Sequence, residues 1–139
     1  MLIRTIYVSR ASSPMPLELK DILAVSRKNN PLKNIGGAMC FLDSIYLQLL
    51  EGEAAAVDAL YQKIEKDPRH TDIKMLIHEP ITQREYPNWA MALLTWNDET
   101  KAIFKRFNPG SERDVHAADP ANVDALLRAW AGTNNWMTV

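Results

Sequence analysis

The chain has 139 residues, enough for one compact domain, and 47% of them are hydrophobic, enough to fill a single core. Sixteen Lys and Arg against seventeen Asp and Glu leave a net charge of −1, which gives no electrostatic footprint for nucleic acid or an anionic membrane surface. The single cysteine, Cys40, excludes an internal disulfide; no apolar run reaches the roughly 18–20 residues of a membrane span, and Ser9-Arg10 comes too early for a signal peptide, so the expected setting is a reducing cytoplasm.

Leu2 to Ser9 is rich in β-branched residues and reads as a first strand, with Ile3, Thr5, Tyr7 and Ser9 on one face and Leu2, Arg4, Ile6 and Val8 on the other. Ser12-Ser13-Pro14-Met15-Pro16 is turn chemistry leading into a helix over Leu17 to Asn29, on which the line begun by Ile22 continues through polar Ser26, Asn29 and Asn30. Pro31 stops that helix, Asn34-Ile35-Gly36-Gly37 turns the chain, and Ala38 to Leu42 forms the second strand. Asp43-Ser44 is a hairpin turn into a third strand, Ile45 to Gly52, where alternation puts Tyr46, Gln48 and Leu50 on one face and Leu47, Leu49 and Glu51 on the other.

Glu53 to Lys66 places Val57, Leu60, Tyr61 and Ile64 at helical spacing, and Asp67-Pro68-Arg69-His70 ends this second helix. Ile73 to Ile77 reads as a fourth strand and Trp89 to Trp96 as a fifth, with Trp89, Met91 and Leu93 on one face. Two terminal helices follow, Asp98 to Phe107 and Asp119 to Trp130, the last opened by Asp119 as N-cap and Pro120 in the first turn. The order βαββαββ followed by two helices predicts an α+β, ferredoxin-like sheet with both crossover helices on one face and the terminal helices on the other. It divides the chain into a domain over 1–96 and a C-terminal helical extension over 97–139.

Gln48 is the one neutral amide in a strand whose apolar neighbours predict burial on both faces. Its two donors and one acceptor need partners, since leaving them unmet in a dry site costs about 1–3 kcal/mol. Either the protein supplies those partners or a ligand does. Tyr7 shares that sheet face, and a flat polar ligand could slot between the two crossover helices above the pair. Local grammar also accommodates Tyr7 as a packed ring and Asn29-Asn30 as ordinary helix-terminating residues. His70, His78 and His116 lack metal-ligand spacing, so no metal is expected, and neither a glycine-rich phosphate loop nor a Gly-x-Ser-x-Gly nucleophile turn is present.

Taken together, Tyr7-Val8-Ser9, Ser26-Arg27-Lys28-Asn29-Asn30, Leu47-Gln48-Leu49-Leu50-Glu51-Gly52, Asp67-Pro68-Arg69-His70 and Trp89-Ala90-Met91 resemble a BLUF domain, a flavin-binding sensor of blue light, from about Leu2 to Leu94. The resemblance implies a photoactive tyrosine at Tyr7, a switching glutamine at Gln48, and a flavin-anchoring asparagine at Asn30, with Asn29 at a more variable neighbouring site. It further implies that Ser26, Lys63, Asp67, Arg69 and His70 border the flavin or its ribityl and phosphate tail, and that Trp89 and Met91 form a relay on the fifth strand. The implied cofactor is non-covalent FAD and the implied protein is not an enzyme. Its output would pass to an unidentified effector protein, with homo-oligomers expected and neither nucleic acid nor membrane as a partner. The competing expectation is a small ferredoxin-like flavin-dependent oxidoreductase. One departure stands out: many members carry Ile-Thr-Gly where this chain has Ile35-Gly36-Gly37, which would loosen the flavin-side loop.

Overall fold

The computed structural model describes residues 1–11, 24, 27–29, 34–42, 44–68, 70–86, 89, 91–109, 118 and 120–137. The strands are β1 (Leu2–Ala11), β2 (Gly36–Leu42), β3 (Ile45–Glu53), β4 (His70–Pro80), β5 (Ala92–Leu94) and β6 (Trp136–Met137); the helices are α1 (Ala54–Lys66), α2 (Asp98–Phe107) and α3 (Val123–Ala131). Of the helix expected over Leu17 to Asn29, Ala24 and residues 27–29 are helical; the remainder lies outside the described residues.

One six-stranded sheet runs in the order β4-β1-β3-β2-β5-β6. The β2–β3 and β1–β3 pairs are antiparallel and unbroken in register, and β5 joins β2 in parallel. The hairpin between β2 and β3 turns through Ser44 at a φ of 66°, the left-handed conformation that closes such tight connections. Gly37 meets β3 so closely that a Cβ there would stand 2.1 Å from the Leu49 carbonyl oxygen, so a glycine is required.

Alternation along β1 and β3 divides the core in two. Ile6, Val8, Cys40, Leu47 and Leu49 face α2 and α3, packing with Ile103, Phe104, Val123, Leu126 and Trp130. Ile3, Tyr7, Met39, Tyr46 and Leu50 face α1, which inserts Val57 at its centre. The terminal helices therefore cover the face opposite α1, as the order of elements predicted. Trp130 is completely buried and donates its indole N–H to the Thr100 carbonyl at 3.0 Å, so its ring fills the gap between α2 and α3 without an unmet donor. Asn97 caps α2, accepting from the Thr100 N–H at 3.0 Å.

Beyond shifts of one or two residues at β1, β3 and α1, four elements differ from the sequence reading. β2 begins at Gly36, so Gly36 and Gly37 belong to the strand rather than to the turn before it. β4 runs six residues beyond the expected Ile73–Ile77, because an edge strand carries exposed polar residues such as Thr71, Lys74 and His78 that do not alternate like a buried one. α3 starts at Val123 with Asn122 at its cap; Pro120 lies in a turn before it, where the Asn122 amide donates to the Phe107 carbonyl, and Asp119 lies outside the described residues. The expected strand over Trp89 to Trp96 shrinks to Ala92–Leu94, and two residues of the C-terminal segment, β6, pair antiparallel against it. No helix among the described residues is long and apolar enough to cross a membrane.

Candidate functional site

Tyr7 and Gln48 stand directly opposite each other in the β1–β3 register, and both are buried. Cross-strand partners have Cβ atoms on the same face, so the ring and the amide meet over the sheet, and the Tyr7 hydroxyl donates to Gln48 Oε1. Gln48 Nε2 lies 3.5 Å from Met91 Sδ, a weak acceptor. Among the described residues, the amide thus has its oxygen engaged by a phenol and its nitrogen facing a thioether, a weak acceptor.

Tyr61 of α1 packs edge-on against Tyr7, with ring centroids 5.5 Å apart. Burial pushes the Tyr7 phenol well above the ordinary tyrosine range, and the charges of Tyr61, Tyr46 and Asp67 add to the effect. The consequence is a phenol that stays protonated throughout neutral and moderately alkaline pH, so its O–H donor is always present. Two residues earlier on the same face of β1, Thr5 is fully buried, and its hydroxyl has no hydrogen-bond partner among the described residues. Met91 is held from the backbone side as well, since Arg27 Nε donates to its carbonyl at 3.2 Å.

A flavin needs apolar contact for its ring faces and donors or acceptors for its edge. The described wall of this face supplies both: Ile3, Ile35, Met39, Leu50 and Val57 as apolar lining, with the Gln48 amide, the Tyr7 phenol and the unpartnered Thr5 hydroxyl among them. The residues present fit such a group.

Among the other expected site residues, Asn29 is helical and half-buried, Asp67 is half-buried at the C-cap of α1, and Lys63 is exposed in its last turn. Ser26, Asn30 and Arg69 lie outside the described residues, as does the His70 side chain; His70 opens β4. Trp89 and Met91 do not share a face. Met91 packs with Tyr7 and Met39, whereas Trp89 packs on the α2/α3 side, stacked on Tyr86 at 4.9 Å and against Trp136 at 4.7 Å. Strand alternation fails here because both residues precede β5 on an irregular segment, so period two has no pleat to act through. Of the pair, only Met91 touches Gln48.

Sequence reasoning passed over Arg27, Thr5 and the relation of Gly36 to Arg84. The missing side chain at Gly36 does not leave a loose loop. A Cβ there would fall 2.0 Å from Arg84 Nη2 and 3.0 Å from the Trp89 carbonyl oxygen, so the Arg84 guanidinium occupies the space that a threonine would take. Arg84 also donates to the Asn34 carbonyl at 3.4 Å, and the Gly37 N–H donates to the Trp89 carbonyl at 2.9 Å, which ties the segment before Met91 to the start of β2. Gly36→Thr should therefore push aside the flexible tip of Arg84 and lower stability by no more than about 1 kcal/mol. Adding Arg84→Ala should recover a large part of that loss. Urea unfolding of the two single variants and the double variant checks it; equal loss in Gly36→Thr with and without Arg84 would assign the strain to Trp89 instead.

Residues 2–92 match the family described as "BLUF: Sensors of blue-light using FAD". Among curated proteins, photoactivated adenylate cyclase subunit beta of Euglena longa is 36% identical over 100 residues, a match covering 70% of this chain and 11% of that protein. The chain thus spans about a tenth of that relative's length. Among solved structures, BlsA in its ground state superposes with a TM-score of 0.86 at 27% identity, over 97% of this chain and 91% of that one. Klebsiella pneumoniae BlrP1, solved with FMN and cyclic diGMP, gives a TM-score of 0.63 at 28% identity over 68% of this chain and 26% of that one.

Proposed function

The chain belongs to the BLUF family of flavin-binding blue-light sensors, and from that premise we propose that Tyr7 and Gln48 are the pair through which it registers light. The observation that carries this reading is the buried Tyr7–Gln48 hydrogen bond, with an amide nitrogen that has, among the described residues, a thioether as its partner. A bound flavin supplies absorption in the blue and, once excited, an electron acceptor. Tyr7 gives up an electron and passes its phenolic proton along the existing hydrogen bond to Gln48 Oε1. The electron then returns to Tyr7 with a proton: if that proton leaves Oε1, Gln48 is again an amide but rotated, and if it leaves Nε2 instead, Gln48 remains as its imidic-acid tautomer, so the edge that had presented an N–H donor presents a different pattern. Met91 Sδ loses or changes its partner in the same event, which carries the change toward β5.

The remaining assignments extend that reading. Residues 1–96 form the flavin-binding unit and 97–139 the helical extension. The cofactor is FAD rather than FMN, anchored by Asn30 with Asn29 beside it, and Ser26, Lys63, Asp67, Arg69 and His70 border it or its ribityl and phosphate tail. The receptor works in the cytoplasm as a homo-oligomer and signals by contact with a separate effector protein. The test is an absorption spectrum of the purified, FAD-reconstituted protein before and after blue light. A small red shift that reverses in the dark is expected. A colourless protein, or a flavin spectrum that light leaves unchanged, would overturn the proposal.

A further inference from the structure

Glu51 follows Gln48 by three residues on β3 and points to the opposite face of the sheet, where its side chain is wholly buried. Four N–H groups converge on its carboxylate. Arg4 donates through Nε at 3.2 Å and Nη2 at 3.0 Å to Oε2, the Glu85 backbone N–H donates to Oε2 at 3.2 Å, and the Tyr86 backbone N–H donates to Oε1 at 3.0 Å. The two backbone donors belong to the segment that leads from β4 to Met91. That segment is therefore tied to β3 at both ends, to Glu51 at its start and to Gln48 at its finish.

The side chain of Glu85 extends the connection outward. Its Oε1 accepts from Arg4 Nη2 at 2.9 Å and from Arg128 Nη2 at 3.2 Å, and Arg128 stands on α3. Arg4 also reaches α3 directly, with Nη1 3.5 Å from Asp124 Oδ1, and lies at the same distance from Glu79 Oε1 on β4. We propose that Glu51 is a positioning residue of the photocycle and that Glu85 and Arg128 form the joint through which displacement of Met91 is delivered to α3.

The inference rests on the Tyr7–Gln48 reading above. When Gln48 changes its hydrogen-bonding pattern, Met91 and the chain behind it shift, and the Glu51 anchor sets the point about which that chain turns. Glu85 sits next to the anchor with its carboxylate in the grip of α3, so its displacement pulls on or releases Arg128. α3 is then the responding element, and its fit against the sheet depends on illumination.

Arg128 is the residue on which to test this, because its side chain is 55% exposed and its replacement leaves the core intact. Hydrogen–deuterium exchange of the flavin-loaded protein is measured in darkness and under blue light, alongside the flavin spectrum, for wild type, Arg128→Ala, Arg128→Lys and Glu85→Gln. In wild type, light should change exchange over residues 123–131. In Arg128→Ala and Glu85→Gln the red shift should stay unchanged while that light-minus-dark difference falls by at least about five-fold. Arg128→Lys, which keeps a charge-assisted donor, should restore part of it. A purely structural role for Arg128 would raise exchange equally in light and darkness and leave the difference intact, which overturns the joint. A wild-type red shift with no exchange difference in α3 overturns it too. Absence of the red shift in wild type would instead strike at the Tyr7–Gln48 reading itself.

Discussion

Replacing Gln48 with leucine should yield a protein that still takes up flavin and no longer responds to blue light. Leucine is close to glutamine in volume and leaves the packing of Ile3, Met39, Leu50 and Val57 on this face in place, so flavin uptake should survive the change. What disappears is the amide that can exchange donor for acceptor at the centre of the described site. The Tyr7 hydroxyl loses the acceptor it has on Gln48 Oε1, and an unmet buried hydroxyl costs about 1–3 kcal/mol, which a domain of ordinary stability survives. Tyr7→Phe removes the other half, the proton and electron donor, with a smaller change in packing. Both variants should show flavin absorption and no light-induced shift. A normal shift in Gln48→Leu would mean that the switch lies elsewhere.

The largest effect on stability is expected at the buried charges. Arg4→Met leaves the Glu51 carboxylate wholly enclosed without its countercharge, and such an uncompensated ion costs about 3–5 kcal/mol. Glu51→Leu should also be severe, for a second reason: it strands the N–H groups of Glu85 and Tyr86, although Arg4 keeps its carboxylate contacts to Glu85, Glu79 and Asp124. In a simple buried pair, replacing both partners by apolar residues is close to neutral. Here the double variant Arg4→Met/Glu51→Leu should stay destabilised by about 2 kcal/mol or more, because two backbone donors remain unmet. Glu51→Gln keeps an oxygen for the Tyr86 N–H and should be the mildest of the set. Urea denaturation at fixed flavin concentration separates these cases, and a double variant as stable as wild type would show that the backbone contacts to Glu51 carry no net energy.

The site was legible in the sequence where the chain is regular. Strands β1 and β3 alternate without interruption, so counting by twos sorted the faces of each strand, and the uninterrupted register between them then sets Tyr7 opposite Gln48. The same count places Arg4 and Glu51 together on the other face. Each is a charge inside a strand whose other central residues are mostly buried, a signal that could have been read as a buried pair. Trp89 and Met91 were misread because alternation was applied to a segment that has no strand geometry; their opposite placement depends on tertiary contacts with Tyr86 and Trp136 on one side and Gln48 on the other. The partnership of Gly36 with Arg84 joins residues far apart in the chain and has no local signature. β6 is two residues long, too short for any periodicity, and exists only because β5 offers it an edge.

The brevity of β5 bears on how much a light signal can cost the fold. This strand is paired to β2 at Ala92 and Leu93 and to β6 at Leu93 and Leu94, while the long β1, β3 and β4 ladders hold the core independently of it. A domain of this size has a net stability of about 5–15 kcal/mol, and any light-adapted state that disturbed the main ladders would consume much of it. Motion confined to β5 risks only a few rungs. The receptor can therefore change state repeatedly while remaining far from its own unfolding transition.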